Sequence, residues 1–312
     1  METKDFNSKF KAIKMPEGKA SEYAKYSCNF YVGGSNECEY CYLKKGRGKK
    51  ILGGNIPTLK KCFKDENHAL EVFEKELEAN FPELQKHGLF FSFTTDPMLP
   101  ETKQITYQTI GICVENNVPV KILTKCADWV FQLLNLNGSR LLSYYAKYVS
   151  FGFTLTGHDE LEPNASTNAE RIEAMRMLHD AGFRTFVSIE PVIDFESSIS
   201  MIFNIRNICY LIKVGLESDK KYDKKELRDF IERILNISYG RTDSDNIEFK
   251  YNKKCWQMPN NLPISEHLKH GTSEYKHKFK IYFKEGLLKQ AGISRSELPS
   301  NCVTRDYSLF NN

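Results

Sequence analysis

The 312-residue chain contains no apolar run approaching the roughly 18 residues that a membrane-crossing helix needs, so a bilayer span is not expected. Its first residues, METKDFNSKFKAIKMPEGK, carry charge with no apolar stretch behind it, which argues against an export signal and for a cytoplasmic protein without membrane partners. Nine cysteines are too few, and odd in number, for a disulfide scaffold in a chain this long. Most stand alone in apolar surroundings, as Cys113 and Cys209 do, where an inert buried thiol is the natural reading. Several common motifs are missing too. No P-loop follows Gly33 and Gly34, FGFTLTG at 151–157 lacks the dinucleotide fingerprint, and His158 and His179 stand isolated, outside any Ser–His–Asp set. The net charge of +4 favours phosphate contacts only weakly and does not by itself identify a nucleic-acid partner.

What is present is an alternation. His68 to Phe81 carries Leu70, Phe73, Leu77 and Phe81 at helical spacing, and the apolar run of Leu89 to Pro97 follows as a buried strand. Helix is then expected at Ile105–Glu115, Ala127–Leu134, Asn168–Ala181 and Ile199–Ile205. Strands are expected at Val118–Thr124, Tyr148–Leu155, Phe183–Ile189 and Leu211–Val214. A further strand is expected over Tyr23–Phe30, ahead of a glycine-containing loop. Such alternation predicts an α/β fold with a parallel sheet covered by helices. Polar residues gather at successive strand ends: Thr94, Thr95 and Asp96; Thr124 and Lys125; Thr154 and Thr156; Glu190. Ligands of parallel α/β folds bind beyond that edge, so these groups predict one shared cavity. Residues 1–22 read as an N-terminal arm, 23–216 as the main domain, and 217–312 as a C-terminal extension that covers the substrate side. In that extension a helix is expected at Lys224–Leu235 and a charged turn at 240–246. KKGRGKK at 44–50 and KYNKKCW at 250–256, with Trp256 for stacking, read first as solvated loops and only second as phosphate contacts.

Cys38 and Cys41 form a C-x₂-C pair, with Cys28 nine residues upstream. Thiolates so close together suit an iron–sulfur cluster or zinc, and a redox dithiol is a further reading. A structural zinc site calls for four ligands, and no second such pair is at hand; three ligands would describe a catalytic centre with an open position.

From Asn29 to Tyr42 the sequence NFYVGGSNECEYCY resembles the cluster loop of radical S-adenosylmethionine proteins, in particular the spore photoproduct lyase and DNA repair photolyase-like group. The resemblance continues in FSFTTDPMLP at 91–100, KILTK at 121–125, the segment 153–182 and VSIEPVID at 187–194, and covers residues 23 to 215. It implies a partial (β/α)6 barrel of the radical SAM type with a C-terminal extension. It also implies a [4Fe–4S] cluster whose open iron chelates S-adenosyl-L-methionine, and a reducing electron donor such as flavodoxin or ferredoxin. The implied reaction is reductive cleavage of the cofactor to a 5′-deoxyadenosyl radical, acting on a substrate for which nucleic acid is the nearest analogy. Thr94, Thr95 and Asp96 would meet the methionine or ribose part, although TTDP is also a good turn sequence. Lys125 would meet a carboxylate or phosphate, with a solvent-exposed lysine as easily defended; Thr154 would meet the adenosyl group; Arg171 would hold a carboxylate or, equally, pair with an acidic residue along its own helix; and Glu190 would meet the ribose or adenine.

One position departs from the pattern. The family spacing C-x₃-C-x₂-C puts a cysteine where this chain has Gly34. Either Cys28 completes the ligand set Cys28, Cys38 and Cys41, or the cluster is lost. The alternatives to an iron–sulfur enzyme are a cluster-deficient barrel that binds S-adenosylmethionine or nucleic acid, and a zinc-bound structural protein.

Overall fold

The computed structural model describes residues 2–45, 49–52, 54–136, 139–240 and 279–303. The sequence features at 241–246 and 250–256, and the centre of the 44–50 run, lie outside them. Strands β1 (Ile13–Lys14), β2 (Ser27–Cys28), β3 (Tyr31–Val32), β4 (Thr58–Leu59), β5 (Leu89–Phe91), β6 (Val120–Thr124), β7 (Val149–Thr154), β8 (Arg184–Val192), β9 (Leu211–Leu216) and β10 (Lys280–Phe283) form two sheets. The larger has the order β1-β2-β5-β6-β7-β8-β9-β10, and the smaller pairs β3 with β4. From β2 to β10 every neighbouring pair in the large sheet is parallel, while β1 lies antiparallel on the edge.

Helices α1 (Thr3–Lys9), α2 (Lys49–Leu52), α3 (Glu66–Ala79), α4 (Phe81–His87), α5 (Lys103–Glu115), α6 (Trp129–Leu136), α7 (Ser139–Tyr145), α8 (Asn168–Asp180), α9 (Phe195–Ile205), α10 (Lys224–Ser238) and α11 (Glu285–Ala291) are joined by short 3₁₀ turns at Gly18–Glu22, Tyr42–Lys44, Asp159–Leu161 and Arg295–Glu297. Their limits follow local chemistry. The Asp65 side chain accepts from the His68 N–H to start α3, and Thr167 with Glu170 forms a reciprocal capping box at α8. Asp194 caps α9, so that helix opens four residues before the expected Ile199. Of the strand expected over Tyr23–Phe30 only Ser27–Cys28 is strand. At its start the buried Lys213 amine donates to the Glu22 and Tyr23 carbonyls at 3.1 and 3.3 Å.

Strand parity separates two interiors. Ile122, Phe151, Val187, Ile212 and Ile281 lie in the main core that packs against the helices. Phe90, Phe186, Leu211 and Tyr282 form a smaller cluster with Tyr23 on the opposite, concave face. Gly152 is required here, since a Cβ would stand 2.4 Å from the Phe186 ring. The result is a helix-flanked sheet resembling a partial barrel with extra C-terminal elements: the alternation predicts the parallel sheet and its helices, and the resemblance implies the barrel. Strand β10 comes from the 217–312 region, and it extends the sheet by pairing parallel to β9. No helix among the described residues is long and apolar enough to cross a membrane.

Candidate functional site

Beyond β3 the chain turns at Gly33, whose φ of +86° and nearness to the Gly54 and Ile56 carbonyls leave no room for a side chain. The loop that follows is tied down at several points. Gly33 N–H donates to the Thr94 carbonyl at 3.0 Å, Gly34 N–H to the Gly54 carbonyl at 3.0 Å, and Glu39 N–H to the Leu161 carbonyl at 3.0 Å. Asn164 reaches the Ser35 carbonyl at 3.0 Å, and the Tyr42 hydroxyl donates to the Phe93 carbonyl. This loop and the C-terminal ends of β5, β6, β7, β8 and β9 enclose a cavity of about 310 Å³.

Thr95, Asp96, Lys125, Thr154 and Glu190 line that cavity together with Cys38 and Cys41. Asp96 is fully engaged. Its carboxylate accepts from Asn36 at 2.9 Å, the Met98 N–H at 3.0 Å, the Thr124 hydroxyl at 2.6 Å and the Lys125 N–H at 2.8 Å, and so welds the Cys38 loop to two strand ends. Thr94 is outside the cavity lining; its hydroxyl donates to the Tyr31 carbonyl at 2.5 Å. The Thr95 hydroxyl, by contrast, is buried without any hydrogen-bond partner.

Lys125 Nζ lies 3.3 Å from the Cys38 sulfur and 3.7 Å from Glu162, with the Tyr40 ring centroid 4.9 Å away. Burial works against its charge, but Tyr40, Cys38 and Glu162 outweigh it and hold the ammonium above its ordinary range. Burial likewise pushes the Cys38 thiol up, against the pull of Lys125. Glu162 escaped the sequence reading, although it organises this end of the site. It accepts from Tyr40 and forms a fully buried ion pair with Arg171 at 2.6 Å. Arg171 also donates to the Ser166 carbonyl at 2.7 Å and the Thr154 carbonyl at 2.8 Å, and it does not reach the cavity.

The opposite wall holds Glu190, whose oxygens accept from Lys284 at 2.8 and 3.0 Å and from the Tyr23 hydroxyl at 2.6 Å. Gly215 lets this pair close, because a Cβ would come within 2.7 Å of both side chains. His158 is not isolated: it contacts Asp194, Ser197 at 3.0 Å and Glu160 at 2.7 Å. Nε2 faces both Asp194 and Ser197, and Ser197 donates to Asp194, so the group is a clasp between the segment after β7 and the start of α9 rather than a nucleophile with its base.

The cluster expectation fails here. Cys28 sits on β2 opposite Phe91, fully buried in the helix-facing core, and Cys113 is among the groups that perturb its thiol. Cys38 and Cys41 face the cavity on the other side of the sheet. Among the described residues no three His, Cys, Asp or Glu side chains form a group able to hold a metal ion. A [4Fe–4S] cluster on Cys28, Cys38 and Cys41 therefore does not fit. With it fall S-adenosyl-L-methionine as an iron-chelating cofactor, its reductive cleavage to a 5′-deoxyadenosyl radical, and the iron–sulfur description of the chain. The same finding leaves no zinc site among those residues.

No protein-family model matches the chain. An uncharacterized protein of Methanocaldococcus jannaschii is 24% identical over 255 residues, covering 75% of this chain and 87% of that one. In structure the chain is similar to a spore photoproduct lyase mutant, with a TM-score of 0.51 at 14% identity, covering 72% of this chain and 76% of that one. A spore photoproduct lyase mutant with bound S-adenosylmethionine and a dinucleoside spore photoproduct gives 0.48 at 15% identity, over 70% of this chain. The chain spans 63% of that protein's length. The first of these structural likenesses shows a shared fold and nothing beyond it.

Proposed function

We propose that this protein is a cluster-deficient barrel that binds a small nucleoside-bearing ligand of the S-adenosylmethionine type, as a ligand and not as a source of radicals. The observation that carries the reading is the cavity's polar lining: Lys125, Thr154, Glu190 and Lys284 converge on a space where the described residues bring no third ligand to hold a cluster. The surrounding chemistry suits a zwitterionic nucleoside. Glu190 accepts hydroxyl or ammonium donors, Lys125 and Lys284 meet carboxylates, and the stacked Phe90 and Phe93 rings, 4.5 Å apart, offer an apolar face. Such a barrel needs neither flavodoxin nor ferredoxin.

The exposed Tyr42, 58% accessible at the cavity mouth, favours a second reading in which a base of a single-stranded nucleic acid stacks there. Calorimetric titration of iron-free protein with S-adenosylmethionine, S-adenosylhomocysteine and a short single-stranded DNA separates the two. Saturable one-to-one binding of the small ligands, weakened in Glu190→Gln, supports the first reading; binding of the DNA alone supports the second. Absence of binding by all three refutes both.

A further inference from the structure

With Cys28 turned away, the paired sulfurs are left with chemistry of their own. Cys38 and Cys41 end a four-residue turn closed by the Cys41 N–H on the Cys38 carbonyl at 3.2 Å. Turns of this kind keep their end Cα atoms within about 7 Å, a range that overlaps the roughly 4.4–6.8 Å of disulfides. Both thiols are free and both face the cavity. They differ in access: Cys38 is 4% exposed, whereas Cys41 is partly open. They also differ in company, for Cys38 carries the Lys125 ammonium at 3.3 Å.

We infer that Cys38 and Cys41 form a redox-active dithiol that exchanges with low-molecular-weight disulfides entering the cavity. Cys41, as thiolate, attacks one sulfur of the external disulfide; that S–S bond breaks, a thiolate leaves and takes up a proton, and a mixed disulfide forms on Cys41. Cys38 then attacks the Cys41 sulfur, the second S–S bond breaks, and a second external thiol departs. The dithiol loses two electrons and two protons, and the external disulfide gains both. Accessibility assigns the attacking role to Cys41. Cys38, nearly closed to solvent behind Cys41 and with the Lys125 ammonium 3.3 Å from its sulfur, takes the resolving role. The exchange itself does not depend on which ligand the cavity takes.

The test uses the full chain, equilibrated anaerobically across ratios of reduced to oxidised dithiothreitol, with free thiols then alkylated and peptides mapped by mass. The expected result is a two-electron transition in which two thiols disappear and the cross-link maps to Cys38 and Cys41. With oxidised glutathione, Cys38→Ser should accumulate a mixed disulfide on Cys41, which the wild type resolves. Failure of the wild-type chain to form the 38–41 link at any ratio overturns the inference, whether or not the variant folds. Formation of some other cysteine link in its place does the same.

Discussion

Replacing Thr95 with valine removes a buried hydroxyl that nothing in the protein meets while keeping the branched shape of the side chain. The other contact at this position, Ser92 Oγ on the Thr95 carbonyl at 2.5 Å, is to the backbone and survives the change. The ligand-free protein should therefore gain about 1–3 kcal/mol, the desolvation cost of an unpaired hydroxyl. With a urea dependence near 3 kcal/mol per molar, the midpoint should rise by roughly 0.3–1 M. Ligand affinity should stay unchanged, because the hydroxyl has no surface open to the cavity. Urea unfolding followed by circular dichroism and calorimetry with S-adenosylmethionine read the two effects separately. A destabilised Thr95→Val protein would show that the hydroxyl is already satisfied. A stabilised variant with weakened affinity would show that the ligand rearranges the wall and reaches it.

Other outcomes follow from the same geometry. Glu162→Ala leaves Arg171 buried without its counter-charge and should cost about 3–5 kcal/mol, read as a lowered urea midpoint; a loss below 1 kcal/mol would refute the pairing. Hydrogen bonding to Asp194 raises the His158 pKa above its usual value, and Ser197 with His158 draws Asp194 down to about 2 against the effect of its burial. The clasp's contribution is accordingly complete between about pH 4 and 6.5, and is lost as pH falls through the depressed Asp194 value or rises through the elevated His158 value, so the stability gap between wild type and His158→Gln should narrow as pH rises above about 6.5; a gap that widens over that range would contradict this. Gly34 has open space around its missing Cβ and lines the cavity beside Cys38 and Cys41, so Gly34→Cys should take up iron on anaerobic reconstitution; an iron-free variant would place the defect elsewhere in the loop.

The parallel sheet was legible because its strands are short apolar runs separated by helices with identifiable starts, such as Thr167 with Glu170. The strand-end polar groups were legible for the same reason: Thr95, Asp96, Lys125, Thr154 and Glu190 all follow or end such runs and all line the cavity. The direction of Cys28 was not. Side chains alternate along a strand, and only its register opposite Phe91 reveals that it faces the helices. Glu162 lies in an irregular segment and shows its weight only through Tyr40, Lys125 and Arg171, three partners far apart in sequence. Lys284 belongs to a region without hydrophobic period, and its place beside Glu190 depends on β10 pairing with β9. Arg171 shows the reverse case. Its position at the start of α8 fits a ligand contact, but Glu162 and two backbone carbonyls use its donors inside the core.

The central claim is that two cavity-facing sulfurs without a third cannot retain a cluster. Iron and acid-labile sulfide, measured on wild-type protein purified and reconstituted without oxygen, test it most directly. The account predicts colourless protein with far less than one iron per chain. About four irons per chain with a broad absorption near 400 nm would contradict it.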